Sequence, residues 1–300
     1  MYDIIIIGGG TAGLTAAIYA SRAGKKAVVF ENSAIGGQIA TSPRVENYPG
    51  IMQISGMEFA DRLYDQAIAL GVDFEIGNVV GISDDGNIKK VISDDGEYEC
   101  KAVILATGVK HRKLAVPGEE AFAGKGVSYC AICDGAFFKG KTVAVIGGGS
   151  SALISADLLA DGCAEVYLVH RRDEFRGEDK LVSALKEKGN VKFVLCSVVE
   201  EIKGDNKVSS VVLRNTSTDE ISELELDGVF VAVGQVPSNA DFSSVVDLDE
   251  YGYIVAGEDT KTSHAGIFAA GDCRTKSVRQ LTTAAADGAV AALAACDYLR

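Results

Sequence analysis

The sequence is short of positive charge, of proline, of histidine and of cysteine, and each shortage closes off a class of protein. Against 42 Asp and Glu stand 29 Lys and Arg, so 29 minus 42 leaves −13 with His neutral. A chain of that sign does not draw in nucleic acid or anionic lipid unless a strong local basic patch overrides it. No apolar run approaches the roughly 20 residues that cross a bilayer. The start, Met1-Tyr2-Asp3 running straight into Ile4 to Ile7, shows neither a charged leader nor a cleavage site. Neither nucleic acid nor a membrane is therefore expected as a partner, and the expected location is cytoplasmic. Seven cysteines in 300 residues are too sparse for a disulphide scaffold. Four prolines against 34 glycines suit glycine turns between strands and helices better than a Pro-rich linker.

What is present reads as ordinary globular protein, with 47% apolar and 24% charged residues, and the length suggests two domains. The chain also repeats itself. Residues 3 to 31 read as a β-branched strand, a glycine turn, an amphipathic helix and a second apolar strand; residues 142 to 170 have the same plan. A constant offset of 139 with no gap lays Gly8, Gly9 and Gly10 on Gly147, Gly148 and Gly149, and Glu31 on His170. Each copy continues into turn-rich meander strands and then a buried strand, Ala102 to Gly108 and Gly228 to Gly234. A third such strand, Gly266 to Asp272, precedes a helical tail that only the first copy has. The expected fold is α/β, with two Rossmann-like dinucleotide-binding domains, the second inserted into the first. The first comprises 1–113 with 241–300, and the second 114–240. Two short crossings would let the domains rotate.

In the first copy, Gly8-x-Gly10-x-x-Gly13 follows a strand and opens a helix, so amides and the helix N-terminus can take a pyrophosphate. Glu31, 21 residues past Gly10, lies where a carboxylate accepts from ribose hydroxyls and repels a 2′-phosphate. The second copy has Gly147-x-Gly149-x-x-Ala152, with Ser150 and Ser151 opening its helix. Its second strand ends in His170-Arg171-Arg172, followed by Arg176. Guanidinium groups there suit a 2′-phosphate, so this half should prefer NADP to NAD. An acid in one half and arginines in the other suggest FAD plus NADPH. The close pair Cys130 and Cys133 is, in a reducing compartment, redox-active or metal-binding. With no second CxxC and only His111, His170 and His264, no zinc set can be assembled, and no metal is expected. The other five cysteines read as small buried hydrophobes, and His111 and His264 as structural or surface residues.

Several motifs in order resemble the low-molecular-weight thioredoxin reductases over essentially the whole length. They are GGGTAG near the start, Gly36-Gly37-Gln38, Glu46-Asn47-Tyr48-Pro49-Gly50, Ala106-Thr107-Gly108, Val116-Pro117-Gly118-Glu119, Cys130-Ala131-Ile132-Cys133-Asp134-Gly135, His170 to Arg176, Gly271-Asp272, and Arg279-Gln280. The resemblance implies a homodimeric flavoenzyme in which NADPH reduces FAD, FAD reduces a Cys130/Cys133 disulphide, and the dithiol reduces thioredoxin. It makes Cys133 the thiol that faces the flavin, Cys130 the thiol that attacks the substrate, and Asp134 the acid–base group. It assigns Gly37, Gln38, Asn47, Thr107, Gly108, Gly271, Asp272, Arg279 and Gln280 to the FAD pocket. One departure stands out: after Ala152 the family carries an apolar residue and two glutamates, and this chain has Leu153-Ile154-Ser155. That opens an alternative in which ferredoxin or another donor replaces NADPH. Other readings are a flavoprotein feeding a peroxide-reducing system, whose usual extra thioredoxin-like domain is absent from the sequence, and a non-enzymatic nucleotide sensor, against which the intact CxxC speaks.

Overall fold

The computed structural model describes residues 1–42 and 44–300. Its helices among the described residues are α1 (Thr11–Arg22), α2 (Gly56–Ala69), α3 (Ala131–Asp134), α4 (Ser150–Ala160), α5 (Asp179–Glu187) and α6 (Leu281–Tyr298). None is long and apolar enough to cross a membrane. The backbone divides into two compact units, Met1–Lys110 with Val236–Arg300, and His111–Gln235.

In the first unit, strands 73–76, 27–31, 2–7, 96–105, 89–93 and 79–84 lie side by side in that order, with 267–269 also against 96–105. Strands 73–76, 27–31, 2–7 and 96–105 run parallel, and 79–84, 89–93 and 96–105 form an antiparallel meander. Ile4 and Ile6 face one core and Ile5 and Ile7 the other, as expected of a run buried on both sides. On the first face α1 and α6 pack through Ala12, Ala16, Ala20, Ala291 and Ala295, all buried. Gly288 admits this approach, since a Cβ there would collide with the backbone of Ala12. α2 starts at a serine cap, the Glu58 N–H donating to Ser55 Oγ at 3.1 Å.

The second unit repeats the plan. Strands 191–194, 165–169, 142–146, 228–231 and 127–128 are parallel throughout, and 197–204, 208–215 and 221–225 form a separate antiparallel meander. Even the register repeats under the offset read from the sequence: Ile4 pairs with Ala27 in the first unit, and Val143 with Val166 in the second. The chain enters and leaves this unit along adjacent paths, the Arg112 N–H donating to the Gly234 carbonyl at 3.0 Å. Asn239, placed by the sequence reading in the inserted domain, packs in the first unit. It is 1% exposed and donates to the carbonyls of Gly252 and Cys273 at 2.9 and 3.0 Å.

Candidate active site

The dithiol segment follows strand 127–128 and consists of one helical turn, α3, with Cys130 as its N-cap. One turn brings residues three apart onto one face, and Cys130 and Cys133 are joined as a disulphide with Cα atoms 5.3 Å apart. Cys133 is exposed and Cys130 half-buried. The Cys133 N–H donates to Cys130 Sγ at 3.2 Å, so this sulphur takes the place of a capping oxygen at the positive end of the turn. Asp134 closes the turn, and its Oδ2 accepts from Ser128 Oγ at 2.6 Å. Burial pushes the Asp134 carboxyl above the usual carboxylate range, with the Ser128 hydrogen bond opposing. Ser128 lies outside the residues the sequence singled out. Its only signal is a small hydroxyl at the strand end, two positions before the first cysteine.

A second brace near the dithiol was visible only as part of a motif. Glu119 is 1% exposed and accepts from the N–H groups of Leu114 and Ala115 at 2.9 and 2.7 Å and from Tyr129 Oη at 2.9 Å. It therefore ties the entry into this unit to the residue before Cys130. His111 stacks on Tyr129, with ring centroids 5.2 Å apart.

In the first unit, Gly10 is the N-cap of α1, with no side chain capping the helix and no acid in its first turn. Those amides are open to an anion. Gly8 has φ +112°, and a Cβ at Gly13 would collide with the Gly8 carbonyl. Glu31 is buried and accepts from the Gly9 N–H at 2.8 Å and from the Ser33 N–H and Oγ, each at 3.0 Å. With about four lone-pair sites on a carboxylate, it braces the turn and keeps room for one further donor.

The FAD set falls in this unit as hydrogen-bonded pairs. Gln38 Nε2 donates to the Val109 carbonyl, just past Gly108, and Thr107 Oγ1 donates to Asn239 Oδ1 at 2.7 Å. Asn47 Nδ2 donates to Gln280 Oε1 at 3.2 Å, and Gln280 is the N-cap of α6. The Arg279 guanidinium lies 4.3 Å over the Tyr253 ring, and its Nε donates to the Asp272 carbonyl at 3.3 Å. Gly37 and Gly108 both adopt left-handed φ, +62° and +66°.

Asp272 provides the test of fit. Its Oδ1 is buried with no hydrogen-bond partner. Burial raises the carboxyl above its ordinary value against the pull of Lys276 and Arg279. An orphaned acceptor is costly unless a ligand hydroxyl satisfies it, so these residues fit a ribityl or ribose group. Gly271, at φ +82°, presents the aspartate, and its N–H donates to Asp287 Oδ2 at 2.9 Å. Asp287 in turn holds Arg274 and Lys276 in ion pairs. This buried cluster looks like ordinary helix and loop in the sequence and was not found there.

In the second unit, Gly149 caps α4 without a side-chain hydrogen bond, and Ser150 and Ser151 are exposed on its first turn. Gly147 has φ +153°, and the Arg176 N–H returns to the Gly148 carbonyl at 2.8 Å, closing the arginine loop over the glycine turn. Arg171, Arg172 and Arg176 are exposed, and among the described residues no side chain pairs with them. His170 differs from the three. It is buried, stacked on Phe175 at 5.3 Å, and pressed so close to Gly148 that a Cβ there would collide with its ring. Burial and then the three arginines hold its pKa below the ordinary value, and its Nε2 has no partner. His170 therefore keeps a buried ring nitrogen without a partner, and the arginines beside it supply the charge. On α4, Ile154 and Leu158 are 51% and 42% exposed, and Ile154 is one of the two positions, with Ser155, where the resembled family has glutamates.

The pyridine nucleotide-disulphide oxidoreductase family matches residues 2–288. A thioredoxin reductase of Bacillus subtilis strain 168 is 42% identical over 300 residues, covering all of this chain and 95% of that protein. The crystal structure of thioredoxin reductase from Streptococcus pyogenes MGAS5005 is similar with a TM-score of 0.96 at 42% identity, covering 100% of this chain and 98% of that one. That of Lactococcus lactis thioredoxin reductase in its FR conformation has a TM-score of 0.68, also at 42% identity, with 100% and 99% covered. With the disulphide, the orphaned aspartate and the free arginines each on the motif that the resemblance rests on, the chain belongs to the pyridine nucleotide-disulphide oxidoreductase family, among its low-molecular-weight thioredoxin reductases.

Proposed function

We propose that the protein is an NADPH-dependent thioredoxin-disulphide reductase, with FAD in the first unit and the NADPH site and redox disulphide in the second. The observation that carries this reading is the Cys130–Cys133 disulphide at the start of a one-turn helix, in the same unit as three exposed arginines. FAD supplies the two-electron relay between nicotinamide and disulphide. The chain's own residues do the rest. The α1 amides receive pyrophosphate, the Asp272 carboxylate accepts a flavin-side hydroxyl, and Arg171, Arg172 and Arg176 select the 2′-phosphate. With the disulphide reduced, Cys130 as thiolate attacks one sulphur of the thioredoxin disulphide and displaces the other. Cys133 then attacks Cys130, regenerates the internal disulphide and releases thioredoxin with two thiols. The Cys133 N–H on Cys130 Sγ favours the thiolate at Cys130. Asp134 moves protons between the sulphurs and solvent.

The dithiol and the nicotinamide site share a unit that the flavin does not, so the second unit presents them alternately by turning on its two crossings. The resemblance carries a homodimer and a cytoplasmic setting with it.

An anaerobic titration of the flavin absorbance with NADPH, and separately NADH, tests the reading. NADPH should bleach the flavin at low concentration and NADH far less well. The exposed Ile154 favours a second reading, a donor such as ferredoxin. A flavin that dithionite bleaches and neither nucleotide does would select it, although the −13 net charge opposes an acidic partner.

A further inference from the structure

Ser128 has no part in the steps above, yet it is the residue that joins them. It is 6% exposed, at the end of strand 127–128. Its Oγ lies 2.6 Å from Asp134 Oδ2, 3.1 Å from the Cys130 nitrogen and 3.4 Å from the Cys130 carbonyl oxygen. A hydroxyl has one proton to donate, and the carboxylate oxygen at 2.6 Å is a much better acceptor than a carbonyl at 3.4 Å. The Ser128 hydroxyl thus donates to Asp134 and accepts the Cys130 N–H, a directed chain from the main chain of the attacking cysteine to the carboxylate.

We propose that Ser128 is a positioning residue that anchors Asp134 through Oδ2 and reserves Oδ1 as the oxygen that exchanges a proton with the dithiol. The inference rests on the reading that Asp134 serves the thiols. When a thiol becomes the attacking thiolate, its S–H bond breaks and an O–H bond forms at Oδ1, directly or through water. No electrons change hands in that step. An oxygen already accepting the Ser128 proton is the poorer place for a second one, so Oδ2 stays an acceptor in both states of Asp134. Among the described residues, the charged groups on α4, which packs against α3, and just beyond the following turn are Asp157, Lys139 and Lys141. Burial raises the pKa of Asp134 and the Ser128 hydrogen bond lowers it. Removing the hydroxyl therefore has one direction, toward a carboxyl that holds its proton to higher pH.

The test is the pH dependence of Cys130 alkylation by iodoacetamide in the dithiol-reduced holoprotein, a readout that needs neither NADPH nor thioredoxin. It compares wild type, Ser128→Ala, Asp134→Asn and the double variant. In the wild-type background Ser128→Ala should move the Asp134 inflection up by about one pH unit, the size of a charge-assisted hydrogen bond. In the Asp134→Asn background it should move nothing. A profile unchanged by Ser128→Ala while Asp134→Asn alters it, or a shift that persists in the double variant, overturns the role of Ser128. A profile indifferent to Asp134→Asn overturns the underlying role of Asp134 instead. Should Ser128→Ala not fold, the infrared carbonyl stretch of protonated Asp134 in the wild type, identified by its loss in Asp134→Asn, decides the matter. A hydrogen-bonded carbonyl is expected, and a free one refutes the anchor.

Discussion

The two glycine turns share one strand–turn–helix plan and differ most in charge at the end of the second strand. Glu31 and His170 occupy equivalent places, and each is buried against the middle glycine of its turn. Glu31 accepts the Gly9 N–H, whereas His170 lays its ring on Gly148. Both residues brace, then, before either touches a nucleotide. Charge separates them: the first turn keeps a carboxylate at the strand end, and the second surrounds the imidazole with arginines that no acidic side chain pairs with among the described residues. The glycine turn makes a generic anion cradle, and the charge at the end of the second strand is where the two cradles part.

The largest expected effect separates the units outright. Cys133→Ser removes the thiol that resolves the mixed disulphide, so reduction of thioredoxin should stop while the flavin stays bound with its ordinary absorbance. Retained turnover would move the redox role elsewhere. Next in size is the joint replacement Arg171→Ala with Arg172→Ala. Each lost charge-assisted contact costs about 1.5 kcal/mol, or roughly tenfold, so KM for NADPH should rise about a hundredfold with NADH unaffected. Equal losses for both nucleotides would show that these arginines do not read the 2′-phosphate. A smaller effect, confined to the first unit, follows from Asp272→Asn. Because burial raises the folded-state pKa of Asp272 above its unfolded value, ionisation there costs stability as pH rises above the carboxylate range. The apoprotein variant should therefore melt a few degrees higher at pH 7, for about 1 kcal/mol, yet hold FAD less tightly. Calorimetry of the apoprotein and a flavin-binding titration read the two halves separately.

Much of the comparison was legible in the sequence because parallel strands buried on both faces leave near-continuous apolar runs. A glycine turn between two such runs fixes strand, helix and register together, which is why the offset that aligns Gly8 with Gly147 also aligns the Ile4–Ala27 and Val143–Val166 pairs. The side-chain braces were not legible. Glu31 could be placed at the strand end, but not its bonds to Gly9 and Ser33. α3 is one turn long and too short for any periodicity, so the link from Ser128 to Asp134 leaves no pattern. The Asp287, Arg274 and Lys276 cluster joins a loop to a helix whose spacing shows only an apolar face, and buried ion pairs have no sequence period at all.

The smallest effect sharpens the comparison most, because it acts on one turn and spares the other. A histidine whose folded pKa is depressed takes up its proton more readily in the unfolded chain. Stability is then unaffected well above the unfolded value near 6.5 and falls as pH drops through it. His170 is such a residue, depressed by burial and by Arg171, Arg172 and Arg176, whereas the first turn carries no histidine. Amide hydrogen exchange, corrected for intrinsic rates and compared at pH 7.5 and 5.5, should show protection falling by up to about 1 kcal/mol across 142–170. Segment 2–31 should change less. His170→Phe keeps an aromatic ring beside Phe175 and removes the titration, so it should abolish the difference between the segments. A difference that survives that substitution would place the acid sensitivity in the arginine loop itself, and the brace would then be a matter of shape alone.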